Sequence, residues 1–195
     1  MSDEFSIRRV RPSDATAVAT VFEAALHEAG AYHPDAAGSP VDEDLPADYV
    51  DPGGDFLACV AAADAPALAG VDLPDGLGVD DGVLVATGAF RPPAAAVRER
   101  FADVAPLADR RLAEVKRMHV HPALHRRGIG GRVFDAVAER ARAGGYGALV
   151  LETTSVQEAA LAFYRERGFA EAARATVTPA SVAEPITLVF CWRTL

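Results

Sequence analysis

The residues from Val120 to Gly131, Val-His-Pro-Ala-Leu-His-Arg-Arg-Gly-Ile-Gly-Gly, have the types and spacing to bind an anion. Leu112 to Val120 reads as a strand and Gly130 to Ala143 as a helix, so these residues form the turn between them. Small residues let the backbone approach a ligand, and the first turn of a helix leaves N–H groups unpaired and aimed along its axis. The helix dipole and Arg126, Arg127 and Arg132 add positive potential. A diphosphate suits such a turn. Two common nucleotide readings fail. A dinucleotide fingerprint needs glycine where Val133 stands, and a triphosphate loop needs Gly-Lys-Ser/Thr, which does not follow.

Three histidines lie close by. His119 and His121 share one strand face, and His125 sits within the turn. No Cys or carboxylate completes a ligand set at metal spacing, so no metal is expected and the three read as turn and surface histidines. His119 is also a candidate base, because an imidazole titrates near neutrality.

The elements that must position these groups follow from periodicity. Phe5 to Val10 alternates as a strand. Ser13 is placed to cap a helix carrying Val18, Val21, Phe22, Ala25, Leu26 and Ala29 at helical spacing, and Gly30 ends it. Residues 33 to 54 are irregular and acidic, with a short helix expected over Leu45 to Val50. Phe56 to Ala63 and Val83 to Phe90 are strands, and the Gly/Pro/Asp loop of 64 to 81 has room for a strand fragment. Pro92-Pro93 opens a short helix over Ala94 to Asp103. After the strand, turn and long helix come a buried-type strand, Ala148 to Thr153, and a helix to Arg167 opened by a Ser155…Glu158 capping box. Two strands, about Glu171 to Val177 and Pro185 to Trp192, finish the chain. The order predicts an α/β fold: a mixed, mostly antiparallel sheet of about seven strands with helices on both faces.

That order and that turn resemble the Gcn5-related N-acetyltransferase family over nearly the whole chain. One segment is Ala113-Glu114-Val115-Lys116-Arg117-Met118-His119-Val120-His121-Pro122, continuing through Arg126-Arg127-Gly128-Ile129-Gly130. It is similar to the family's strand ending in Val-x-Pro followed by Gln/Arg-x-x-Gly-x-Gly/Ala. The other is Leu151-Glu152-Thr153-Thr154-Ser155-Val156-Gln157 with Ala160, Phe163-Tyr164 and Gly168-Phe169, similar to the family's Leu-x-Thr and Ala-x-x-x-Tyr-x-x-x-Gly-Phe. Two positions depart from the pattern: His125 where Gln or Arg is usual, with Arg126 as its substitute, and Thr154 where many members have Gly.

The resemblance implies acetyl-CoA, or another short acyl-CoA, as co-substrate. Its pyrophosphate would rest on the N–H groups of Arg126, Arg127, Gly128, Ile129, Gly130, Gly131 and Arg132. The strand before the turn would splay from its parallel neighbour, and the pantetheine arm would lie along Met118, His119 and Val120. An N–H of that segment would polarise the thioester carbonyl. Gln157 would bond the pantetheine amide. Tyr164 would be the general acid toward the departing sulfur, and Glu114 the general base, with Glu152 a weaker alternative. Each has a plain structural alternative: a solvated helix start, a packing tyrosine, an exposed strand glutamate.

One domain is expected over residues 1–195, with an acceptor-side half of about 1–90, an acyl-CoA half of about 110–170 and terminal strands over 171–195. The chain carries 50% hydrophobic and 24% charged residues, no apolar run near the roughly 20 residues of a membrane span, and an acidic Met1–Glu4 unlike a secretory signal. Cys59 and Cys191 lie in apolar runs and read as buried thiols, so the cytoplasm is the expected compartment.

The net charge of −9 divides unevenly. Pro12 to Ala89 holds 15 acidic residues and neither Lys nor Arg; the remainder is net +6. An acidic chain argues against nucleic acid. On the side where the family admits its acceptor stand Asp35, Asp42, Glu43, Asp44, Asp48, Asp51 and Asp55, which would attract a small cationic amine. The other readings are a protein N-terminal or lysine acetyltransferase and a non-catalytic acyl-CoA sensor. A homodimer through the terminal strands is a further expectation from family analogy.

Overall fold

The computed structural model describes residues 4–31, 46–178 and 185–195. Asp35, Asp42, Glu43 and Asp44 lie outside them. In chain order the elements are β1 (Phe5–Arg9), α1 (Ala15–Glu28), a single π-helical turn (Pro46–Val50), β2 (Asp55–Ala61), β3 (Gly78–Val79), β4 (Gly82–Arg91), α2 (Ala95–Glu99), β5 (Leu112–Val120), α3 (Ile129–Ala143), β6 (Ala148–Thr154), α4 (Glu158–Glu166), β7 (Ala170–Val177) and β8 (Ile186–Thr194). The strands form one sheet in the order β1-β2-β4-β5-β6-β8-β7, with β3 paired to β4. The eighth strand is this two-residue β3, the fragment of the 64–81 loop. Every pairing is antiparallel except that of β5 with β6. Among the described residues no helix is long and apolar enough to cross a membrane.

Helices cover both faces. Val18 and Val21 of α1 pack against Phe56, Ala58, Val60 and Leu84. Ile129 and Val133 of α3 pack against Cys59 and Val85, and Phe134 and Val137 against Leu57 and Leu149. Alternate residues of β2 thus serve opposite layers, and all seven are buried. Burial on both faces is why this strand reads as an unbroken apolar run. Full burial of Phe56, Leu57 or Val60 is worth about 1.5–3 kcal/mol each. The two cysteines are free buried thiols, and burial pushes the Cys59 thiol up to about 12.

Helix starts differ from expectation in instructive ways. Ser13 does not cap α1. A 3-10 turn, Pro12–Asp14, intervenes, and the Asp14 carboxylate accepts the Arg11 N–H at 2.8 Å and Arg8 Nη1 at 2.6 Å. The Ser155 capping box does not form either: Gln157 is the N-cap of α4, which begins at Glu158. α2 is shorter than the expected Ala94 to Asp103. Gly30, at φ +63°, does end α1.

Asp55 ties three elements together. Its carboxylate is 3% exposed and accepts Arg9 Nε of β1 at 2.6 Å, Arg140 Nη1 of α3 at 2.8 Å and the Phe56 N–H at 3.0 Å. Removing it would leave two guanidinium groups without their shared partner. Both are about half exposed, so solvent offsets part of the loss. Asp55→Ala is expected to destabilise the fold by about 1–3 kcal/mol. Urea unfolding would show this as a lower midpoint at constant slope, and an unshifted midpoint would contradict the clamp.

Candidate active site

The parallel pairing of β5 with β6 lasts three residues: Leu112 with Ala148, Ala113 with Leu149, Glu114 with Val150. Beyond them β6 stays with β8 to Thr154 and β5 stays with β4 to Val120, so a gap opens between β5 and β6 toward the glycine turn. A bulge accompanies the parting. The β4–β5 register slips between Thr87 and Ala89, which sets Arg117 and Met118 opposite Gly88. Arg117 takes a left-handed φ of +55°, and the Thr87 hydroxyl donates to its C=O at 2.8 Å. Bulges increase local twist and re-aim the strand. Gly88 is the residue that permits this one: a Cβ there would lie 2.6 Å from Val133 Cγ1 and 2.7 Å from Met118 Sδ. The sequence reading missed Gly88 and the left-handed Arg117, though a lone glycine inside an apolar strand was the signal for the bulge.

The wall that β5 presents to the gap is backbone. The His121 N–H donates to the Val85 C=O at 2.9 Å, and Val120 pairs with Ala86. Antiparallel alternation therefore turns the N–H and C=O of Val120 outward, into the gap. That C=O meets His125 Nε2 at 3.0 Å. The residue standing at the usual Gln/Arg position is thus bonded to the gap's own edge.

The glycine turn begins with a 3-10 turn, Pro122–Leu124, and enters α3 through Gly128. Arg126 and Gly128 are both left-handed, at φ +61° and +76°. Such reversals make concave arrays of N–H groups. The N–H groups of Arg126, Arg127, Gly128, Ile129, Gly130 and Gly131 have no acceptor among the described residues. The Arg132 N–H differs: it bonds the Gly128 C=O at 3.2 Å and is withdrawn from the expected set. The arginine side chains also differ from expectation. Arg127 donates to the Ala67 C=O, and Arg132 extends toward the Phe5 ring, 5.9 Å away. Arg126 is exposed on the turn.

Glu114, Lys116 and Leu112 alternate onto one face of β5, opposite Ala113 and Val115, which join the α3 core. Glu114 is 3% exposed, and Lys116 Nζ donates to its Oε1 at 3.2 Å. It is therefore not an exposed strand glutamate. Glu152 lies on the same face of β6; its carboxyl is raised by desolvation first and by Glu114 as well, against the lowering charges of Lys116 and Arg100. His119 meets Phe22 of α1 edge-on at 5.1 Å, and burial with the nearby Arg117 charge pushes it down to about 3. An imidazole so depressed is a poor proton acceptor, which weighs against His119 as the base. His121 Nδ1 is buried without a partner among the described residues.

On the opposite face α4 lies beside α3, with Phe163 edge-on to Phe134 at 5.9 Å. Tyr164 is buried between Phe163 and Phe169, at 5.4 and 5.3 Å, and no partner for its hydroxyl occurs among the described residues. Burial raises its pKa, the neighbouring Cys191 adds to this, and Arg167 opposes it. Gln157 turns back onto β6, where its Oε1 accepts the Thr153 hydroxyl at 2.6 Å. Its amide N–H₂ has no acceptor among the described residues.

Residues 47–169 match the sequence profile of the Acetyltransferase (GNAT) family. An IAA acetyltransferase of Azospirillum brasilense is 45% identical over 58 residues, which make up 30% of this chain and 38% of that relative. Among solved structures, yncA of Salmonella typhimurium with its cofactor acetyl-CoA superposes with a TM-score of 0.69 at 16% identity, over 99% of this chain and 95% of that one. A phosphinothricin acetyltransferase of Sinorhizobium meliloti in complex with acetyl-CoA gives 0.68 at 13% identity, over 98% and 89%. At such identities these two structures speak for the fold.

Gly88→Ala tests whether the bulge and α3 are packed as described. Val133 is fully buried and cannot yield freely, so the added methyl is expected to cost about 1–3 kcal/mol of stability. A wild-type unfolding midpoint would show that the contact relaxes without loss.

Proposed function

The chain belongs to the acetyltransferase (GNAT) family, and on that footing we propose that it moves the acetyl group of acetyl-CoA to a primary amine of a small cationic molecule, by direct attack in a ternary complex. The observation that carries this reading is the continuity of two sets of unused backbone groups. The outward N–H of Val120 lines the gap, and six unpaired N–H groups of the glycine turn follow it. An extended, amide-bearing arm ending in a diphosphate fits that sequence of donors.

Bound there, acetyl-CoA supplies the activated acyl group and a thiol leaving group. Of the segment Met118, His119 and Val120, the outward N–H of Val120 supports negative charge developing on the carbonyl oxygen, while His119 pairs with Thr87 of β4. The Gln157 amide N–H₂ is available to an amide of the arm. Glu114 is the proposed base. Its burial and its pairing with Lys116 mean that it takes the ammonium proton through water, with Glu152 as the neighbouring alternative. The N–C bond then forms as the C–S bond breaks. Tyr164, held protonated by its raised pKa, gives its hydrogen bond or proton to the sulfur.

The cationic acceptor is supported by the 15 acidic residues from Pro12 to Ala89. Asp14, Asp55 and Asp81 drop out of that argument, because Arg8, Arg9, Arg11 and Arg140 already hold them. Thiol release from acetyl-CoA over a panel of cationic, neutral and acidic amines tests the reading. Turnover confined to acidic amines would overturn the acceptor, and binding of acetyl-CoA without any turnover would overturn the transferase. Tyr164→Phe is expected to lower kcat by roughly tenfold or more while leaving acetyl-CoA affinity nearly unchanged. A wild-type kcat removes its role.

A further inference from the structure

Arg167 follows α4 directly and points back across α3. Its guanidinium carbon lies 3.7 Å from the centre of the Phe163 ring and 5.6 Å from that of Phe134. Its base is pinned. Its N–H donates to the Tyr164 C=O at 3.0 Å, and Arg193 Nη1 donates to its C=O at 2.8 Å. The guanidinium itself is poorly served. Nη1 reaches the Phe163 C=O at a long 3.4 Å, and Nε and Nη2 have no acceptor among the described residues. No carboxylate there forms an ion pair with it.

The surroundings favour an anion further. Arg193 lies over Phe134 and Phe169, and the charges of Arg142 and Arg167 both weigh on it against that of Asp135 alone. Across from this cluster stands the first turn of α3. A Cβ on Gly131 would lie 2.7 Å from Arg167 Nη2. The guanidinium therefore flanks the residue that ends the run of six unpaired N–H groups. The absence of a side chain at Gly131 is what admits it.

We propose that Arg167 is a phosphate ligand of bound acetyl-CoA, closing from the side on the anion seated at the first turn of α3. This rests on the acetyl-CoA reading above. It also resolves a discrepancy in that site. Arg127 is engaged by the Ala67 C=O and Arg132 extends toward Phe5, so two of the three arginines next to the turn are drawn elsewhere. Arg167, 36 residues beyond Gly131, brings the missing side-chain charge. A guanidinium stacked on an aromatic ring is weakly hydrated and keeps its edge free for bidentate bonds to phosphate oxygens.

Calorimetry with acetyl-CoA and with its 3′-dephospho form, on wild type, Arg167→Met and Arg167→Lys, tests the proposal. Methionine keeps an apolar stem over Phe163 and removes the charge. It is expected to raise Kd for acetyl-CoA by roughly tenfold or more, with lysine recovering part of the loss. Equal weakening toward both ligands assigns Arg167 to the diphosphate, and weakening toward acetyl-CoA alone assigns it to the ribose 3′-phosphate. Unchanged affinity for both in a folded Arg167→Met protein overturns it; should that variant not fold, Arg167→Gln is read the same way. A wild-type chain that binds neither ligand would instead overturn the acetyl-CoA reading.

Discussion

The close approach of α3 to β4 at Gly88 is the contact on which the site depends. Val133 and Val137 fill the space that a side chain there would occupy. The same glycine faces the bulge of Arg117 and Met118, so one absent methyl serves helix packing and strand geometry together. The bulge accompanies the parting of β5 from β6 after three pairs. The seating of Ile129 and Val133 in the core fixes where α3 begins. The gap and the N–H cradle are therefore neighbours because one packing contact positions both.

The parts of this architecture set by neighbouring residues were legible in the sequence. Arg126, Gly128 and Gly130 announced a strand-to-helix turn with spare N–H groups, because helix starts and left-handed residues are local matters. The strands and long helices followed from periodicity for the same reason. Tyr164 and Gln157 were nominated only through family resemblance, since nothing local distinguishes a reactive tyrosine from a packing one. The features that escaped are set by distant partners. Arg127 meets Ala67 across 60 residues, and Asp55 meets Arg140 across 85. His119 looked titratable near neutrality, but its environment comes from Phe22 and Arg117 packed around it. Arg167 read as a helix end, because its relation to Gly131 exists only once α3 and α4 are side by side.

Net charge says little about the ligand of such a site. The chain is acidic overall, yet six N–H groups of the glycine turn stand without an acceptor among the described residues. In the described part of the acidic half, Asp14, Asp55 and Asp81 are absorbed by Arg8, Arg9, Arg11 and Arg140. Those pairs fasten the edge strand β1 to the sheet and to α3. Acidity there serves the fold first, and the carboxylates left for the proposed cationic acceptor are those, such as Asp48 and Asp51, that lack such pairing among the described residues.

Burial also sorts the protons. Acyl transfer from a thioester to an amine needs one group that is empty to receive a proton and another that is loaded to meet the thiolate. A phenol is loaded at neutral pH, and enclosure among Phe163 and Phe169 raises Tyr164 further. The same physics lowers His119, which stands beside Arg117 and is a weaker proton acceptor for it. The carboxylates sit on the other face of the sheet, with Lys116 compensating the buried charge of Glu114. The proposed acid and base thus lie on opposite faces of the sheet, and the gap between β5 and β6 is where the two faces meet.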